Sequence, residues 1–179
     1  MSKDIREMID KVKNFKQFVN ESANNNLYYH GSCKDFVSFE NTDININNIG
    51  VNGELKIKGN FITKNRKFTK LFSQQHKGKC FIYTVELLTN NIFDLRIAKN
   101  LNAFKSHIGK AEYDEFKEEE YIVNGLPVWD LYPVIELAYE IGFDGVKLLE
   151  FSTEISNDAI ESILVFNPKH LKIVKKEKV

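Results

Sequence analysis

The sequence predicts an α+β domain with many short strands, and three observations carry that expectation. Residues 80–87 (CFIYTVEL) alternate Phe81, Tyr83 and Val85 against Ile82, Thr84 and Glu86, the two-residue period of a strand. Residues 129–141 read as a helix that stops at Gly142, the residue best suited to the left-handed conformation that ends helices. The remaining apolar runs are short and bounded by Asn, Gly, Ser or Pro, which favours many brief elements over a few long ones.

Taken in order, residues 3–21 place Ile5, Met8, Ile9, Val12, Phe15, Phe18 and Val19 at helical spacing, with Ser2 as N-cap. The run ESANNN (21–26) ends that helix, because Asn and Ser side chains compete for backbone hydrogen bonds. Residues 1–26 therefore form an amphipathic helix and linker attached to a domain at 27–179. Within the domain LYYH (27–30) is a strand, 40–58 a long Asn-rich loop, and GNFIT (59–63) a short strand. Residues 64–79 are basic and helical around Phe68, Leu71 and Phe72. After the strand at 80–87, NNIFDL (90–95) turns and re-enters, and 96–121 holds helical pieces. FDGVKLLEF (143–151) is a strand, 152–158 a polar loop, and SILVF (162–166) a final core strand closed by Asn167-Pro168.

The bulk numbers exclude several classes. The 179 residues suit one domain, and no apolar run approaches the ~20 residues of a membrane-spanning helix. No signal-peptide pattern opens the chain. The two cysteines, Cys33 and Cys80, have no metal-type spacing and indicate no disulfide framework; they read as buried small apolar residues in a reducing cytoplasm. Lys+Arg and Asp+Glu number 25 each, so net charge demands no nucleic-acid partner. Charge is uneven all the same. Residues 56–79 are strongly basic and suit a phosphate-bearing ligand or nucleic acid, whereas 112–120 are acidic and read as solvated surface.

Single residues name no reaction, since a histidine at a strand end is more often structural than functional. Five short motifs in order are more specific: YYHGS (28–32), GNFIT (59–63), YTVELLTNNIFDL (83–95), GFDGV (142–146) and ESILVFNPKHLKIV (161–174). Together they resemble the ADP-ribosyltransferases of the diphtheria-toxin-like, His-Tyr-Glu class, most of all the small phage and prokaryotic members. That resemblance implies a split β-sheet core and NAD⁺ as co-substrate, with no metal. His30 would hold an adenosine ribose hydroxyl, and the Gly31 backbone would pair with the nicotinamide carboxamide, an approach that a side chain would block. Ser32 would add a hydroxyl near the dinucleotide. Phe61 stands where the family has a tyrosine, keeping the ring face for stacking without the hydroxyl, and Thr63 of the same run would line the dinucleotide site.

The catalytic carboxylate needs a register argument. Alignment on Phe166-Asn167-Pro168 puts Ser162 at the family's glutamate position and Glu161 one residue earlier, where strand alternation turns it to the other face. A β-bulge would restore Glu161 to the cleft. Otherwise the carboxylate comes from elsewhere, such as Glu154, or the site is impaired. Asn91 and Asp94, with Gly142 and Gly145, look like scaffold, and His76, His107 and His170 have no evident partner.

The segment FKQFVNE (15–21) also resembles the N-terminal targeting peptides of proteins packaged in the heads of large tailed bacteriophages, with Val19-Asn20-Glu21 as a maturation-protease site. The expectation is thus a phage- or toxin-related mono-ADP-ribosyltransferase acting in a host cytoplasm. Its acceptor would be a protein or RNA/DNA. The alternative is a catalytically impaired NAD-binding or interaction module of the same fold.

Overall fold

The structure is a computed structural model that describes residues 26–40, 57–74, 78–128, 131–152 and 156–179. The expected helix at 3–21, most of the Asn-rich loop, His76 and Glu154 lie outside these residues. The described chain is α+β. Its strands are β1 (Leu27–Ser32), β2 (Asn60–Thr63), β3 (Phe81–Leu87), β4 (Ile92–Phe93), β5 (Ile122–Val123), β6 (Leu126–Pro127), β7 (Gly145–Ser152), β8 (Ser156–Val165) and β9 (Leu171–Lys178). The helices are α1 (Arg66–Gln74), α2 (Ala98–Ile108), α3 (Lys110–Glu118) and α4 (Tyr132–Glu140).

Seven strands join in one sheet, ordered β4-β7-β8-β2-β1-β3-β9. Neighbouring strands in it are antiparallel except β4 and β7. The sheet is continuous rather than divided in two, yet it has a seam. β1 and β2 share a single register pair, Tyr29 with Thr63, while β1 and β3 run in register from Leu27–Glu86 to Ser32–Phe81. Past that pair the seam is closed by a side chain: His30 Nδ1 lies 2.8 Å from the Phe61 carbonyl oxygen.

Strand alternation gives the sheet two cores. One face carries Phe93, Val146, Leu148 and Leu164 beneath Phe104, Tyr113, Val134 and Leu137 of α2, α3 and α4. The other carries Ile62, Tyr83, Val85, Ile163, Val165 and Leu171, covered by Phe36 and Phe39 from the segment after β1. Tyr83 pins that segment: its hydroxyl donates to the Lys34 carbonyl and accepts from the Phe36 amide, both at 3.1 Å, and its ring stacks on Phe36 at 4.1 Å.

Local chemistry sets the element ends. Asn65 caps α1, its Oδ1 accepting the Phe68 amide at 2.9 Å. Gly109, at φ 88°, separates α2 from α3. Pro133 sits in the first turn of α4, which begins at Tyr132 rather than Trp129. Gly142 (φ 84°) ends that helix as expected, with the Phe143 amide returning to the Ala138 carbonyl at 2.9 Å. Asn124 and Gly125, at φ 52° and 77°, form a tight turn that makes β5 and β6 a hairpin.

Three expectations need correction. The polar loop expected over 152–158 gives way to strand from Ser156, so β8 is ten residues long. SILVF is not the last strand, because β9 pairs with β3 at the sheet edge, where exposed lysines are tolerated on one side. Cys33 and Cys80 are not two independent apolar residues. They form a disulfide, because the β1–β3 register ends with Ser32 opposite Phe81 and brings the next residues within 3.9 Å Cα to Cα.

Candidate functional site

The regular register of β8 decides where Glu161 points. β2 pairs with β8 from Asn60–Val165 to Thr63–Ser162 without interruption. In β8's other pairing Glu150–Ser152 of β7 stands against Ile160–Ser156, so the extra residues lie in β8 just before Glu161. Between Glu161 and Val165 the pairing has no bulge, which corrects the register expectation. Simple alternation places Glu161, Ile163 and Val165 on one face, and that face also carries Tyr28, His30 and Tyr83. Ser162 points the other way and is 1% exposed. His30 and Glu161 are thus separated by β2, with backbones about 12 Å apart by strand spacing and rise.

Glu161 borders a cavity of about 310 Å³ lined by Tyr28, Lys64, Lys147 and Ile163. Its carboxylate is held in a charge cluster that Asp94 organises from the turn after β4. Arg96 Nη1 donates to Glu161 Oε2 at 3.0 Å and Nη2 to Oε1 at 3.3 Å. The same guanidinium grips Asp94 through Nε at 2.9 Å and Nη2 at 2.8 Å. Lys147 Nζ lies 3.1 Å from Asp94 Oδ2 and 3.7 Å from Glu161 Oε1. Burial pushes the Asp94 carboxyl up, but the Arg96 hydrogen bonds and then Lys147 outweigh it and hold the group at about 2. Tyr28 is pushed up by burial first and by the Glu161 charge second. Two cations thus offset two anions, and each Glu161 oxygen keeps a second lone-pair direction for an incoming hydroxyl.

His30 sits in an aromatic nest, its ring 5.9 Å from Phe36, 5.1 Å from Phe39 and 6.3 Å from Tyr83. Burial lowers its pKa, against a smaller opposing effect of the bond to the Phe61 carbonyl. Since a carbonyl can only accept, Nδ1 carries the proton, and the neutral ring's Nε2 can only accept. Gly31 faces Ile82 in the β1–β3 pair. Ser32 Oγ accepts the Lys34 amide at 3.1 Å, which makes it a turn former at the end of β1.

Two expected residues are not gathered with these. Phe61 pairs with Leu164 and packs on the helix-covered face, opposite to His30 and Glu161. Thr63 is buried, its Oγ1 donating to the Glu161 carbonyl at 2.8 Å and accepting the Asn65 amide at 3.1 Å. Thr63 therefore anchors the Glu161 backbone to the start of α1. Conversely, Asp94, read from sequence as a turn former, and Arg96 and Lys147, unremarked there, are Glu161's neighbours. The only trace of them in the sequence is that Asp94-Leu95-Arg96 is a natural Asx turn, with the Arg96 amide donating to Asp94 Oδ1 at 3.0 Å. His170 follows β8, and its Nε2 lies 3.1 Å from Asp144 Oδ1 beside the start of β7.

Among the described residues no group of three or more His, Cys, Asp and Glu side chains is gathered as metal ligands. No described helix is long and apolar enough to cross a membrane. Comparison with protein-family models, with curated proteins and with solved structures gives no match for this chain.

Proposed function

We propose that the protein is a mono-ADP-ribosyltransferase that cleaves NAD⁺ and transfers ADP-ribose to a macromolecule. The motif order suggests the family, and one observation of geometry supports the reading: Glu161 shares a sheet face with Tyr28 and His30 and borders a cavity with Tyr28. In the proposed reaction the bond from ribose C1′ to the nicotinamide nitrogen breaks, and nicotinamide leaves with the bonding pair. The cation left at C1′ is met by an acceptor oxygen or nitrogen, which loses its proton as the new bond forms.

Each residue has a part in that scheme. Glu161 accepts from the ribose 2′-hydroxyl and stabilises the positive charge as it develops. Arg96 and Lys147 pair with its carboxylate and fix its direction. His30, neutral and accepting through Nε2, takes a hydroxyl of the adenosine ribose. Gly31 offers backbone to the carboxamide, and Ser32 a hydroxyl to the dinucleotide. Phe61 and Thr63 support the cleft from behind: Phe61 supplies the carbonyl that orients His30, and Thr63 fixes the Glu161 backbone.

The second reading is an NAD-binding or interaction module without turnover. It is favoured by the two-pronged Arg96 grip on Glu161 and by the absence of a Phe61 ring from the cleft face. The N-terminal resemblance extends the proposal to a protein packaged in a phage head and released into a host cytoplasm, where thiol buffers would hold Cys33 and Cys80 reduced. The test is nicotinamide release from labelled NAD⁺ by the full chain, with and without host extract. Release that Glu161→Gln abolishes supports the transferase; NAD⁺ binding with no release under any condition supports the module.

A further inference from the structure

Glu161 stands between two cavities. The first, described above, opens on the face that carries Tyr28 and His30. The second, about 530 Å³, is bounded by Thr63, Lys64, Asn65 and Arg66 on one side and by Ala159 and Ile160 on the other. With the dinucleotide laid along the first, the ribose carbon beside Glu161 is reached by an acceptor through the second. Its rim continues directly into α1.

Lys64 and Arg66 supply the basic charge of that lining, and the chain that follows continues it. No Asp or Glu occurs between Lys56 and Lys79. Lys64, Arg66, Lys67 and Lys70 are exposed, while Phe68 and Thr69 of the same helix are buried. Arg66 reaches Glu177 at 3.3 Å, with both side chains partly solvated. Lys67 and Lys70 have no carboxylate partner among the described residues. The acidic run 112–120 falls largely on α3, which packs on α2 and β5, whereas α1 packs on β1 and β3.

We propose that this cavity and α1 form the docking surface for a single-stranded nucleic-acid acceptor. Its phosphates would lie along Lys64, Arg66, Lys67 and Lys70, and one base or chain end would enter toward Glu161. The assignment rests on the transferase reading for its chemistry, but its binding part does not. A row of cations in which only Arg66 is paired with a carboxylate, among the described residues, matches the regular charge of a phosphate backbone better than the mixed charge of a protein surface. The second cavity is broadly open to solvent, so an extended strand can lie across it. A base must leave its stack to react in such a pocket, which favours single strands.

The experiment measures binding of a labelled single-stranded oligonucleotide to the full chain by fluorescence anisotropy, without NAD⁺, across about 50–200 mM salt. The expected result is salt-sensitive binding that K67E/K70E weakens about 25-fold at 0.1 M salt, with the log–log salt slope shallower by about 1.4. A control of equal charge change, K99E/K110E, leaves affinity within about twofold. No binding at the lowest salt, or equal loss in both double variants, overturns the surface. With labelled NAD⁺ added, the label is expected on the oligonucleotide and is lost in K67E/K70E, while nicotinamide release to water is unchanged. Label found only on added protein, and unaffected by K67E/K70E, overturns the acceptor class. If no nicotinamide is released with any acceptor, the transferase reading fails, and the anisotropy result still decides the surface.

Discussion

Replacing Asp94 by Asn tests the charge cluster that aims Glu161. Asp94 is 7% exposed and accepts from Arg96 Nε at 2.9 Å, Arg96 Nη2 at 2.8 Å and the Arg96 amide at 3.0 Å, with Lys147 Nζ at 3.1 Å. Burial opposes ionisation, yet these donors hold the carboxyl at about 2 instead of the usual 3.8. That gap corresponds to about 2.4 kcal/mol. Because Arg96 is 40% exposed, solvent screening lowers the expected contribution to about 1–2 kcal/mol. The folded-state pKa is the depressed one, so this stability is complete above about pH 4 and is lost as pH falls through about 2.

The assay is urea unfolding of wild type and Asp94→Asn at about pH 7 and about pH 3. The expected gap is about 1–2 kcal/mol at neutral pH, shrinking to roughly half at the lower pH. A gap of equal size at both values would refute the charge argument and leave only packing. No gap at neutral pH would refute the cluster itself.

Four further outcomes are expected. His30→Ala weakens NAD⁺ binding in calorimetry more than His170→Ala does, since His170 serves the Asp144 tie on the far side of β8; equal effects would undercut the site. Gly145→Ala destabilises by about 1–3 kcal/mol in thermal melts, because a Cβ there would lie 2.5 Å from the Leu164 carbonyl oxygen; an unchanged melt would contradict the β7–β8 register. Removing the Cys33–Cys80 link, which spans 47 residues, by C33S/C80S costs about 2–4 kcal/mol relative to the oxidised chain, and a reductant has no further effect on that variant. Glu161→Gln leaves the denaturation midpoint within about 1 kcal/mol of wild type, as expected for a half-exposed ion pair; a collapse of stability would make Glu161 structural rather than catalytic.

Much of the fold was legible because its signals are local. The alternation of Phe81, Tyr83 and Val85 gave β3, Gly142 ended α4, and the spacing of Phe68 and Leu71 gave α1. The errors fell where local pattern and tertiary context separate. Ser156-Asn157-Asp158 carries no apolar alternation, so the strand character of that end of β8 shows only in its pairing with β7. β9 puts Leu171 and Ile173 inward and lysines outward, a weak pattern that an edge strand permits. The helix expected over 129–141 begins at Tyr132, with Pro133 in its first turn.

For the candidate site, the chain pattern offers a strand-end His30-Gly31-Ser32, the Phe61–Thr63 run, a carboxylate at Glu161 and an acid-free basic stretch before Cys80. Those are properties of order and composition, and a linear pattern holds them. Which side chains meet is set by the folded sheet. Facing in a sheet depends on register across strands distant in sequence, and β2 sets Ser162 opposite Thr63, turning Glu161 toward Tyr28 and His30 without a bulge. The same register turns Phe61 away, and the β4–β7 pairing brings Asp94, Arg96 and Lys147 to Glu161 from chain positions 14 to 67 residues off. Spacing along the chain carries no record of such contacts, because pairing between remote strands is settled by how the whole sheet buries its two faces.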